Sequence, residues 1–356
     1  MIVNASPYIR EMRVPFDIAM VRTATLLFIM PLGYTGMARQ EFVFDWRKYT
    51  PYHYAQSADG IKMLYSLIRE AIVKGESTLF IEGFTRQGID YQKLLANILN
   101  DSPLIFWVQS TLGWHTDPRG THFQFCYNDL FPKKDELMQK IVDKASVIFD
   151  KCVKGCKSKY EVALSIHDYL TKTVAYDYDS LPIKDLNSKE VTNAHSLIGP
   201  LLYGKGVCDG ISDAYSFLLS TCGIKATTVS GNTIEGEPHA WNIIRIEGEW
   251  YHVDVTWDLN KGNGNHWFFC LNDAQMSKTR IIKGYVPCNG IEYNYIRRQG
   301  TYFIRKKDAI DYVSKMRRCT KEIFCEEEIP ADSILSLGRC SSVCPGFGHW
   351  FTVTVN

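Results

Sequence analysis

The chain has 356 residues, enough for two or three domains. Hydrophobic residues make up 46% and charged residues 22%, a globular mixture that argues against a disordered, collagenous or coiled-coil chain. Lys and Arg (40) against Asp and Glu (39) leave a net charge of +1, so neither nucleic acid nor an anionic membrane is called for as a partner.

From Met20 the chain reads MVR, then TATLLFIMPLG, then YTGMA before Arg39. A basic start, an apolar run and small residues Gly36 and Ala38 at the −3 and −1 positions have the form of a signal peptide over residues 20–38. Such a peptide, with translation starting at Met20, would make the protein secreted or cell-surface. Glu11 and Asp17 in the preceding extension favour the alternative, a buried strand through Leu26–Met30 in a cytoplasmic protein; both readings stand. No window of eighteen uninterrupted apolar residues predicts an integral membrane span.

Ile61, Leu64, Tyr65, Ile68 and Ile72 predict a helix over 58–74, stopped by Gly75. Ser77–Ile81 reads as a strand, and Tyr91, Leu94, Leu95, Ile98 and Leu99 as a second helical stripe. Leu104–Val108 and His122–Tyr127 are expected strands, with the polar Gly113–Gly120 stretch as a loop between them. Lys133–Cys152 has the spacing of a long amphipathic helix. The expected layout is α+β: an N-terminal segment (1–40), an α/β region (41–132), a core (133–290) and an α/β tail (291–356). The tail predicts helix Lys307–Arg318, strand Glu322–Cys325, a short helix Ala331–Leu337 and strand His349–Val355. "LIREAIVKGESTLFIEG" and "YVSKMRRCTKEIFCEEE" suggest that the first and last regions are related α-β-α modules.

The most informative stretch is 160–271. A helix is expected over Tyr160–Lys172, then a polar loop with Pro182, then "YGKGVCDGISDAYSFLLSTCGI". Gly204 and Gly206 allow a close turn, and Ile211, Ala214, Tyr215, Leu218, Leu219 and Cys222 share one helix face before the Gly223 stop. Cys208 therefore stands at a helix start, where the dipole favours a thiolate. Ala226–Ser230 reads as a strand. His239–Ile246 and Trp250–Val255, joined at Gly248, read as a hairpin that brings His239 and Asp254 close together. A thiol, an imidazole to take its proton and a carboxylate to orient that imidazole are what nucleophilic acyl transfer requires. The backbone N–H of Cys208 would serve the oxyanion.

These residues resemble a known family. "GKGVCDGISDAYSFLLSTCGI", "HAWNIIRIEGEWYHVDVTWD" and "IHDYL" are similar to the bacterial transglutaminase-like family of the papain-like cysteine superfamily, over roughly residues 160–275. The resemblance implies a helix carrying the Cys packed on an antiparallel sheet, with "EYNYIRRQGTYF" opening a tail. It implies Cys208 as nucleophile, His239 as base and Asp254 as orienting acid, acting on a protein or peptide without a cofactor. Trp241, Asn242, Trp257 and Asp258 match flanking positions; Trp241 and Trp257 are expected as packing or cleft walls, with Tyr203 as a further cleft residue. His167 and Asp168 match a helical motif with a structural role, and His252 is expected outside the site. The chain has Asp209, Gly210 and Ile211 where members often have Glu-Gly-Tyr. The second oxyanion donor stays open among Asn193, His195 and Tyr203.

Eleven cysteines contain no C-x-x-C pair, so no metal is expected. That absence also argues against the related peptide-N-glycanases, whose core is paired with such a zinc site. A zinc protein using Cys152, Cys156, Cys340 or Cys344 is the weakest alternative. A non-catalytic module that binds protein or cell-wall peptide is the stronger one. The sequence leaves the oligomeric state open.

Overall fold

Apolar spacing at three and four residues gives the first helix, Asp59–Lys74, and Gly75 closes it at φ +76°, a backbone conformation that costs glycine little. A computed structural model describes residues 42–356 except 46, 48–50, 86–87, 186, 260–264, 339 and 347. The signal-like stretch 20–38 lies outside the described residues. No helix among the described residues is long and apolar enough to cross a membrane.

Strand Thr78–Glu82 and helix Tyr91–Asp101 follow. The next segment corrects the sequence reading. Apolar Ile105, Phe106 and Trp107 are buried but irregular, and the strand is Val108–Asp117, which absorbs most of the expected loop. It pairs with Gly120–Tyr127 as a hairpin at the edge of a three-stranded sheet, with Gly120–Tyr127 in the middle. An edge strand with most of its side chains exposed needs no apolar alternation, so its polar sequence reads as loop.

The central region packs helices Lys134–Ile148, Lys159–Thr173 and Cys208–Thr221 near a five-stranded antiparallel sheet. The sheet order is Arg280–Ile281, Ala226–Thr233, Pro238–Ile246, Glu249–Val253 and Phe269–Leu271. The Cys208 helix lies on Ala226–Thr233 and Pro238–Ile246. One apolar cluster runs from Leu64 and Ile68 through Phe123, Ile141 and Ile166 to Leu218 and Ile244, so the N-terminal helices and the central region share a core. Residues 40–356 form one compact unit.

The tail builds a four-stranded sheet, ordered Tyr302–Phe303, Cys319–Cys325, Trp350–Val355 and Cys340–Gly346. Helices Lys306–Lys315 and Ala331–Leu335 flank it. Trp350 stacks on Phe268 at 5.2 Å and joins tail to centre. The suggested kinship of the two flanking regions has a topological counterpart. Each runs helix, strand, helix, strand, strand, and in each the last strand lies between the other two, antiparallel to both.

Candidate active site

Cys208 is the first residue of the Cys208–Thr221 helix, half-buried after an extended Val207. Gly210 is dictated by packing: a Cβ there would meet the carbonyl oxygens of Ala194 and Ser196, the latter at 2.8 Å. The buried Asn242 amide donates to Ser212 O (2.9 Å) and Thr227 O (3.3 Å), stitching the hairpin to the Cys208 helix. That seam brings the N–H groups of Ala240 and Asp209 to the Cys208 sulfur, where they favour the thiolate. They do not prevail. Burial, with Asp209 and Asp254 adding to it, pushes the thiol up to about 11, which corrects the expectation that the helix start alone would ionise it.

His239 is the second residue of strand Pro238–Ile246, which pairs with Ala226–Thr233, and Asp254 follows the next strand. His239 Nε2 lies 2.8 Å from Asp254 Oδ2, which leaves Nδ1 as the ring nitrogen not committed to Asp254. Asp254 Oδ1 accepts the N–H of Trp257 at 3.0 Å. Burial would raise this carboxyl; the charges of His239 and Arg280, with bonds from His239 and the Trp257 N–H, hold it down at about 2.

Arg280 was missed by the sequence reading. Its side chain is completely buried, donates to the same Asp254 Oδ2, and lies flat on the Trp257 ring at 3.4 Å from the centroid. No local signal marks it among 40 basic residues. Tyr176 was missed too. Its strand, Ala175–Tyr176, pairs with Lys205–Gly206 just before Cys208. Burial and the nearby Cys208 and Asp209 push its hydroxyl up to about 12.

The three residues proposed for the second oxyanion position have different surroundings. His195 Nδ1 bonds Asp209 at 2.8 Å. Tyr203 is exposed and, with Asn193, lines a cavity whose walls include none of Cys208, His239 and Asp254, which corrects its placement in the cleft. Trp241 is fully buried and is a packing residue rather than a cleft wall: its ring lies parallel to His239 and its Nε1–H donates to His252 Nδ1 (3.0 Å). Trp257 is half-buried between Arg280 and Phe268. His252 stands behind Trp241, not at the triad, with Nε2 on Asp273 (2.8 Å).

His167 and Asp258, both buried, bond at 3.0 Å, and Asp258 also accepts the N–H of Phe268. His266 bridges Asp168 (2.8 Å) and Glu322 (3.1 Å) with its two nitrogens. Two clusters, His167–Asp168–His266 and His252–Asp273–Cys288, have the compactness of metal sites. Their hydrogen bonds suit a proton better. Both His266 nitrogens meet carboxylates, and a metal on His252 Nε2 would put a proton on Nδ1, where Trp241 already donates. Neither cluster uses Cys152, Cys156 or Cys340, which are free thiols.

With this geometry in place, residues 148–255 match the transglutaminase-like superfamily. These residues form a transglutaminase-like domain. The chain is similar to mouse kyphoscoliosis peptidase, with 25% identity over 141 residues, 36% of this chain and 20% of that protein. The chain thus spans about a fifth of the curated relative it matches, and the likeness is not confined to bacterial proteins. Among solved structures, a TGase aligns at 13% identity over 51% of each chain, with a TM-score of 0.29. A Cytophaga hutchinsonii protein assigned as a cysteine protease aligns at 17% identity over 41% of this chain and 53% of that one, with a TM-score of 0.26.

Proposed function

We propose that the chain is a cysteine acyl-transfer enzyme acting on amides of protein or peptide substrates, as a transglutaminase, peptidase or amidase. The observation that carries this reading is the pairing of His239 Nε2 with a buried, ionised Asp254 beside a helix-start thiol. Cys208 attacks the amide carbonyl while His239 Nδ1 takes the thiol proton. The carbonyl π pair moves to oxygen, returns, and expels the leaving amine, which His239 protonates; a thioester to Cys208 remains. Water or a second amine then attacks the thioester and restores the thiol. The backbone N–H of Cys208, at the helix start, faces the oxyanion, and Tyr176 supplies the second donor.

The test is incubation of the full chain with dimethylcasein and a fluorescent primary amine, with intact mass spectrometry of the enzyme after an acid quench that preserves a thioester. Amine incorporation or chain cleavage that vanishes in Cys208→Ala is the expected result. No incorporation, cleavage or Cys208 acyl adduct at any pH from 6 to 10 would overturn it. A second reading, a module that binds peptide without turnover, draws on the thiol being pushed up to about 11. It predicts substrate retention by both wild type and Cys208→Ala with no adduct.

A further inference from the structure

Arg280 has no part in the chemistry set out above, yet a completely buried guanidinium needs a reason. Strand Arg280–Ile281 pairs with Asn232 and Thr233 and fixes its backbone at the sheet edge. One nitrogen donates to Thr279 O at 3.2 Å and another to Asp254 Oδ2. The plane rests on Trp257, with the Trp241 and Phe268 rings 5.9 and 5.5 Å away. Asp254 Oδ2 therefore carries two partners, His239 and Arg280, and Oδ1 carries the Trp257 N–H. The single negative charge is already matched by the guanidinium. Protonating His239 would place a second cation on the same oxygen, in a buried place where like charges are poorly screened.

Resting on the triad reading above, we propose that Arg280 is a positioning residue that neutralises Asp254 and so withholds the negative charge that would favour an ion pair between Cys208 and His239, holding Cys208 as a thiol at neutral pH. Two further titratable groups near the sulfur come from two elements. Asp209, on the Cys208 helix, opposes the thiolate, while Tyr176, on the strand beside Lys205–Gly206, stays a neutral hydroxyl below about pH 12; both are untouched by a change at 280. His252 lies behind Trp241 and is engaged by Trp241 and Asp273.

The measurement is the rate of iodoacetamide alkylation of Cys208 in the full chain from pH 5 to 11, read by peptide mass spectrometry, with near-UV dichroism as the check on folding. Arg280→Met removes the charge from a side chain of similar length. Its alkylation midpoint is expected about 1–2 pH units below wild type, as removal of a like charge from beside His239 requires. Arg280→Lys keeps the charge and is expected within about half a unit of wild type by the same argument. An unchanged midpoint in Arg280→Met, or an equal shift in both variants, overturns the proposal. Where Arg280→Met does not fold, Arg280→Gln removes the same charge with a polar side chain and carries the same test. Neither readout needs turnover. Loss of the acyl-transfer reading with the pH shift intact would leave Arg280's effect standing; thioester formation without the shift would sink the Arg280 proposal alone.

Discussion

Raising the pH should unfasten the tail from the centre at one residue, His266. Its ring donates to Asp168 on helix Lys159–Thr173 and to Glu322 on strand Cys319–Cys325, and it stacks on Tyr295 at 4.0 Å. Two carboxylate partners require both nitrogens to carry protons. Burial opposes the charge, but Asp168 and Glu322 carry His266 up to about 10. The folded value lies above the unfolded one, so this stabilisation is fully present below about pH 6.5 and is lost as pH rises through 10. At about 1.4 kcal/mol per unit the whole shift is at most about 5 kcal/mol; partial solvent access brings the working figure to about 2–3 kcal/mol. The assay is urea unfolding of wild type and His266→Gln at pH 7, 8, 9 and 10 under reducing conditions. The stability gap should be about 2–3 kcal/mol at pH 7 and close towards zero by pH 10. A gap that stays constant across that range refutes the bridging imidazolium.

Three further outcomes follow from other contacts. Gly210→Ala forces its Cβ against the Ala194 and Ser196 carbonyls and should cost about 1–3 kcal/mol in urea unfolding. Trp241→Phe deletes the donor to the buried His252 Nδ1 and leaves a void, for a loss of about 2–4 kcal/mol by the same assay. Tyr176→Phe keeps the ring and should lower kcat by roughly 10²-fold while leaving the alkylation rate of Cys208 unchanged; unchanged kcat would remove Tyr176 from the oxyanion site.

The sequence carried the Cys208 helix and the His239–Asp254 hairpin because both are local. Three-four spacing, a Gly stop and two-residue alternation need only short windows, and the site sits where a helix start meets a hairpin. Arg280 needed something else. It reaches Asp254 because a two-residue strand joins the outer edge of Ala226–Thr233, a pairing between segments about fifty residues apart that no window contains. The edge strand Val108–Asp117 was illegible for a different reason: with most of its side chains exposed, nothing selects an apolar period. Trp241 read equally well as packing or cleft wall, since an aromatic beside a catalytic-type histidine suits either until its burial is known.

The bonds around Asp254 explain why a domain matched over 148–255 is embedded in a longer fold. Asp254, just after its strand, has its N–H on Phe268 O, and Asp258 takes the Phe268 N–H in return. His167 holds Asp258 from the central helix side. His266, within the same loop, is held by Glu322 from the tail, and Phe268 is covered by Trp350. The position of the acid therefore depends on contacts that begin after residue 255. Arg280, also beyond 255, sets its charge environment. The matched segment supplies the thiol and the imidazole, while the residues after it fix where the carboxylate stands and how much negative charge it presents to His239.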